Sequence, residues 1–165
     1  MAVGAYPGSF DPLTTAHIAI ADAAITRFSL ERLDLVLSRV ALAKEDHEQS
    51  SLADRVAAIE RMAVERPALQ VRVTDEQLLA DIAAGYDLCV LGADKWHQVQ
   101  DPGFYGGDLS QRDAALARLP TLAVAPRAGV ASPPASSRVV LLAVDPAFHD
   151  VSSTAVRAGR HEWRA

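Results

Sequence analysis

Six short apolar runs in this chain are separated by longer segments of helical period. Parallel strands cannot be joined by a tight turn. They need a crossover long enough to hold a helix, so this alternation points to βα units carrying a parallel sheet. The runs at 3–6, 33–37, 69–73, 88–91, 121–124 and 139–143 read as strands. Helices are predicted at 17–28, 52–65, 75–84 and 110–118, with a short one beginning at Ser153. In the second of these, Leu52, Val56, Ile59 and Met62 recur at spacings of three or four, while Asp54, Arg55, Glu60 and Arg61 take the other positions. The expected architecture is α/β: a doubly wound, mostly parallel sheet of five or six strands with helices on both faces.

A chain of 165 residues fits a single domain spanning 1–165 and can bury roughly two-thirds of its unfolded surface without disulfides. The Pro-, Ser- and Ala-rich segment at 126–137 can continue neither helix nor strand. Too little chain follows it for a second domain, so it reads as a mobile surface loop rather than a linker. Half of the residues are hydrophobic and the mean hydropathy is +0.08. The longest apolar runs are about six residues, too short for a membrane span. A single cysteine, Cys89, and an N-terminus without the pattern of a secretory signal lead to an expected cytoplasmic location. The net charge of −5 shows no basic block, which argues against a nucleic-acid partner. Any phosphate site must be built locally.

One stretch has the composition for that. In GSFDPLTTAH, Gly8 lets the backbone pass close to a bulky anion and Ser9 adds a small hydroxyl. Asp11-Pro12 turns the chain, and Thr14 or Thr15 can cap a helix whose first amides point outward. His17 then falls in the first turn, where it can donate to a phosphate oxygen or carry positive charge. Read residue by residue, the same stretch is a tight turn with an ordinary cap. At the far end of the chain, VSSTAVR places Ser152, Ser153 and Thr154 ahead of a short helix, with Arg157 one turn later and able to fork onto two oxygens.

With both stretches in view, the chain resembles the nucleotidylyltransferase superfamily, whose first motif reads roughly G-G/S-F-D-P-x-H/T-x-G-H and whose last reads I-S-S-T-x-x-R. The resemblance takes in nearly the whole sequence and implies a Rossmann-like fold. LGADKW, with Gly92, Asp94 and Trp96, is similar to the G-A-D segment of the nicotinate and nicotinamide mononucleotide adenylyltransferases. There the Asp reaches the adenosine side of ATP and a nearby Trp can stack on the pyridine ring. Lys44, Ser50 and Arg55 are similar in order to a Lys, a Ser and an Arg after the second strand of those enzymes, and imply substrate binding. AYPGSFDPLTTAH, with Thr14 where the pyridine-nucleotide enzymes usually have His, is closer to phosphopantetheine adenylyltransferase.

The resemblance implies transfer of AMP from ATP to the phosphate of nicotinate or nicotinamide mononucleotide with release of pyrophosphate. Phosphopantetheine, or another small phosphorylated metabolite, is the alternative acceptor, and a nucleotide-binding homologue with little catalysis is a third reading. His17 would stabilise the α-phosphate, supported by Thr14, Gly8 and the Ser9 to Phe10 backbone. Ser152, Ser153, Thr154 and Arg157 would hold the β and γ phosphates. Magnesium is expected, bound mainly through ATP oxygens. Two departures stand out. Ala16 replaces the family's Gly, and the sequence runs only to GRHEWRA after the last motif, so the resemblance leaves that edge to be covered by something else, a partner subunit of a homo-oligomer being one candidate.

Other residues leave alternatives open. Asp94 could accept from a ribose hydroxyl or cap the helix starting near Lys95. Trp96 could stack on a base or sit in the core. Phe104 and Tyr105, in a Gly-rich loop, could close over a ligand or cross the surface. Asp46, His47 and Glu48 read as a solvated charge cluster, and no metal site is predicted.

Overall fold

The computed structural model describes residues 1–39 and 50–165. Lys44, Asp46, His47 and Glu48 therefore lie outside the described residues. Six parallel strands form one sheet: β1 (Val3–Pro7), β2 (Arg32–Ser38), β3 (Leu69–Thr74), β4 (Leu88–Gly92), β5 (Thr121–Ala125) and β6 (Val139–Leu141). Their order is β3-β2-β1-β4-β5-β6. The chain winds outward from β1 in one direction and then, through β4, in the other. The order thus reverses between β1 and β4, where open α/β sheets leave a crevice beyond the strand ends.

The sheet is buried on both faces because its strands alternate between two cores. Leu88 and Val90 of β4, with Ala123 and Ala125 of β5, face a core that receives Ile18, Ala21 and Ala24 of α1 (Thr15–Phe28) and Ile59 of α2 (Leu52–Ala63). Cys89, Leu91, Leu122 and Val124 face the opposite way. There they meet α3 (Leu79–Ile82), α4 (Ala93–Gln100) and α5 (Leu109–Arg118). The doubly wound single-domain fold is as expected.

The main departure is at 75–84, where only Leu79–Ile82 is helical. Backbone groups that a longer helix would need are committed elsewhere. Ser38 Oγ donates to the Glu76 carbonyl at 2.7 Å, and the Glu76 amide donates to Thr74 Oγ1 at 3.2 Å. Arg39 holds Asp75 at 2.9 Å. This segment is therefore tied to the end of β2 before the helix can start. The sixth strand ends at Leu141 rather than reaching residue 143, and α2 ends at Ala63. Residues 126–137 contain no strand or helix beyond an isolated bridge between Arg127 and Val130.

Candidate functional site

A cavity of about 280 Å³ opens at the carboxyl ends of β1, β4 and β5, at the reversal of strand order. Its walls include Gly8, Ser9, Phe10 and His17 from the first motif and Ser152, Ser153, Thr154 and Arg157 from the last. The last motif ends in the short helix α6 (Ser153–Arg157), whose N-cap Ser152 accepts from the Ala155 amide at 3.0 Å. The two ends of the chain are joined directly. Ser153 Oγ donates to the Pro12 carbonyl at 2.8 Å, Arg157 Nη1 donates to the Asp11 carbonyl, and Arg157 Nη2 donates to Thr154 Oγ1 at 3.1 Å.

Thr14 is the residue that caps α1, and it does so reciprocally with His17. The His17 amide donates to Thr14 Oγ1 at 3.3 Å, and the Thr14 amide donates to His17 Nδ1 at 2.9 Å. An imidazole nitrogen that accepts an amide proton carries none of its own, so Nε2 holds the hydrogen. Burial, and then the nearby Arg127 charge, push the His17 pKa from 6.5 down to about 4. Near neutral pH this ring is an uncharged donor. Of the two roles open from the sequence, the hydrogen bond fits the free protein and the positive charge does not.

Aromatic rings hold that imidazole from the other sides. Phe10 meets His17 edge-on at 4.9 Å between centroids and Tyr6 at 5.3 Å, while Tyr6 and His17 are 6.2 Å apart. Phe10 adopts φ 47°, a left-handed conformation uncommon for a bulky residue, and is 2% exposed. Its ring also explains Gly8: a β-carbon there would stand 2.9 Å from Phe10 Cζ. The glycine is required by a ring contact as well as by any ligand that approaches the backbone.

Behind the loop, Asp11 is buried and its Oδ1 accepts from the Ser50 amide at 3.2 Å. Burial raises the Asp11 pKa, but the Ser50 hydrogen bonds and the Arg157 and Arg55 charges outweigh it, and the carboxyl titrates below its usual range. Arg55 donates to the Ser9 carbonyl at 3.0 Å and to the Ser50 carbonyl at 3.2 Å. It stands behind the first motif and braces the loop, outside the set of residues that line the cavity.

On the β4 side, Gly92 is the N-cap of α4, which begins at Ala93 rather than near Lys95. Asp94 therefore lies inside the first turn and makes no capping bond, which removes the cap reading. Its carboxylate folds back over Gly92, where a β-carbon would meet Oδ1 at 2.6 Å. Trp96 packs against the core formed by Leu79, Leu91 and Val99 and is absent from the cavity wall. Phe104 and Tyr105 are likewise absent from it.

The sequence reading overlooked Tyr6, Lys95 and Arg127, all of which line the cavity. The signal was available in their positions. Tyr6 and Arg127 sit at or just past the carboxyl ends of β1 and β5, which is where such sheets present their ligand-facing residues. Cys89 is fully buried and its thiol is pushed up to about 12, so it is no nucleophile near neutral pH. Among the described residues, no group of three His, Cys, Asp or Glu side chains could hold a metal ion, and no helix is long and apolar enough to cross a membrane.

A parallel sheet in this strand order, with motifs from both chain ends meeting in its crevice, is the arrangement of a nucleotidylyltransferase-type protein. The cytidylyltransferase-like family model matches residues 5–159, and the chain belongs to that family, within the nucleotidylyltransferase superfamily. It is also similar to a protein of Agrobacterium fabrum described as "Probable nicotinate-nucleotide adenylyltransferase", at 35% identity over 78 residues. That match covers 47% of this chain and 41% of the relative's length.

Proposed function

We propose that the protein transfers AMP from ATP to the phosphate of nicotinate or nicotinamide mononucleotide. An acceptor phosphate oxygen attacks the α-phosphorus in line, one P–O bond forms as another breaks, and pyrophosphate leaves. Both reactants bring the oxygens they need, so the protein has to align them and offset developing charge. The observation that carries this reading is the single cavity shared by the His17 imidazole and the Ser152, Ser153 and Arg157 side chains at the β1/β4 switch. His17 donates from Nε2 to an α-phosphate oxygen, and the Ser and Arg side chains take the pyrophosphate portion. Asp94 is the one carboxylate on the cavity wall among the described residues, so magnesium accompanying ATP would be held by the nucleotide's own oxygens. Family membership supports the reaction class, and the Agrobacterium relative supports the pyridine mononucleotide as acceptor.

The first motif favours a second acceptor. AYPGSFDPLTTAH has Thr14 three residues before its His17, buried and capping α1, and this form of the motif is nearer to phosphopantetheine adenylyltransferase. The test is pyrophosphate release from ATP and magnesium with a panel of acceptors. Release with nicotinate or nicotinamide mononucleotide is expected. Release with phosphopantetheine alone would transfer the assignment to the second acceptor, and ATP binding without release from any acceptor would remove catalysis from the proposal.

A further inference from the structure

Arg127 is a cavity residue that neither terminal motif accounts for. It lies in the segment that composition alone marks as surface loop, yet its backbone is anchored. The Ala128 amide donates to the His149 carbonyl at 3.1 Å, and the Val130 amide donates to the Arg127 carbonyl at 3.2 Å. These bonds fix the turn beside the strand of chain that leads to Val151 and the last motif.

The guanidinium itself is loosely held. Nη1 stands 3.9 Å from Asp94 Oδ2, and the two side chains are 40% and 54% exposed. An ion pair this long and this wet is strongly screened. The other cavity guanidinium, Arg157, is already committed to the Asp11 carbonyl and Thr154. Arg127 therefore has donors to offer a new anion, and its charge is felt at both His17 and Tyr6.

We propose that Arg127 is a phosphate-binding residue of this cavity, and that its pair with Asp94 is a resting contact which an entering nucleotide replaces with a phosphate oxygen. A forked guanidinium meets phosphate through short charge-assisted hydrogen bonds, and these are stronger than a screened pair at nearly 4 Å. The inference rests on the phosphate reading given above and adds a residue to it.

Calorimetric titration with ATP and with inorganic triphosphate, at fixed ionic strength, tests it. Arg127→Ala should weaken triphosphate binding by about tenfold or more, and Arg127→Lys should recover part of the loss. Asp94→Asn removes the competing anion and should tighten triphosphate. Both side chains are well exposed, so thermal midpoints should stay near the parent value. Parent-like triphosphate affinity in Arg127→Ala would overturn the proposal, as would a loss in Asp94→Asn equal to that in Arg127→Ala. If His17→Ala weakens ATP binding while Arg127→Ala does not, this inference alone falls. If the parent protein binds neither ligand, the phosphate reading falls and takes this one with it.

Discussion

Thr14 and His17 hold one another through three contacts: amide to ring nitrogen at 2.9 Å, amide to hydroxyl at 3.3 Å, and hydroxyl to ring nitrogen at 3.1 Å. The same pair starts α1 and fixes which imidazole nitrogen carries the proton. Helix capping and the chemistry of the site are thus one piece of local structure. Thr14 also explains why a hydroxyl residue can stand in this motif position without loss of order, since it satisfies the cap from within.

Replacing His17 with Ala removes the donor and leaves the cap hydroxyl in place. Loss of one preorganised donor to developing charge typically costs about 3 kcal/mol, or on the order of a hundredfold in rate. Pyrophosphate release should fall by that order with a smaller change in ATP affinity. A parent-like rate would remove His17 from the mechanism.

Acid should destabilise the protein through the same ring. The His17 pKa is depressed in the folded state, to about 4 against 6.5 when unfolded, so between these values the unfolded chain binds more protons. Stability from this source is fully present above pH 6.5 and is lost as pH falls toward 4. Urea midpoints measured across that range should decline, and the His17→Ala variant should decline less. Titration of the imidazole by NMR should place its transition well below 6.5.

Gly8→Ala should damage the loop more than an exposed glycine change would. The added methyl would meet Phe10 Cζ at 2.9 Å, and the buried Phe10 ring is in edge contact with both Tyr6 and His17. Overpacking of this kind costs about 1–3 kcal/mol. Chemical denaturation should show it as a midpoint below that of the parent.

Ala16 is 6% exposed on the cavity wall, one residue before His17. Ala16→Gly removes a methyl from the cavity side of α1 at a helix-propensity cost of up to about 1 kcal/mol. If that methyl crowds the nucleotide, the variant should be less stable by thermal melting yet bind ATP more tightly. Equal affinity would show that the backbone already accommodates the methyl.

Much of this was readable from pattern. Leu88 and Val90 separate from Cys89 and Leu91 because a strand covered on both sides must be apolar throughout while still alternating between two cores. The switch-point motifs were readable because small residues, hydroxyls and one His cluster where β1 ends. The failures have equally physical origins. The 75–84 segment has helical composition, but Ser38 and Arg39 are brought to it by the β2/β3 pairing, which no local pattern records. For Asp94 a ribose contact and a cap were both open, and Gly92 takes the cap position. Arg127 was lost in a loop judged by its prolines and serines, while the bond that anchors its turn reaches a residue two short of the last motif.

The bonds from Ser153 to Pro12 and from Arg157 to Asp11 span 141 and 146 positions of the chain. The first motif is therefore synthesised well before the partners that close its loop. A nascent chain can pair β1 to β5 before either of these long-range bonds can form. A chain cut before Ser152 would keep all six strands yet lose the Ser152, Ser153, Thr154 and Arg157 portion of the cavity wall.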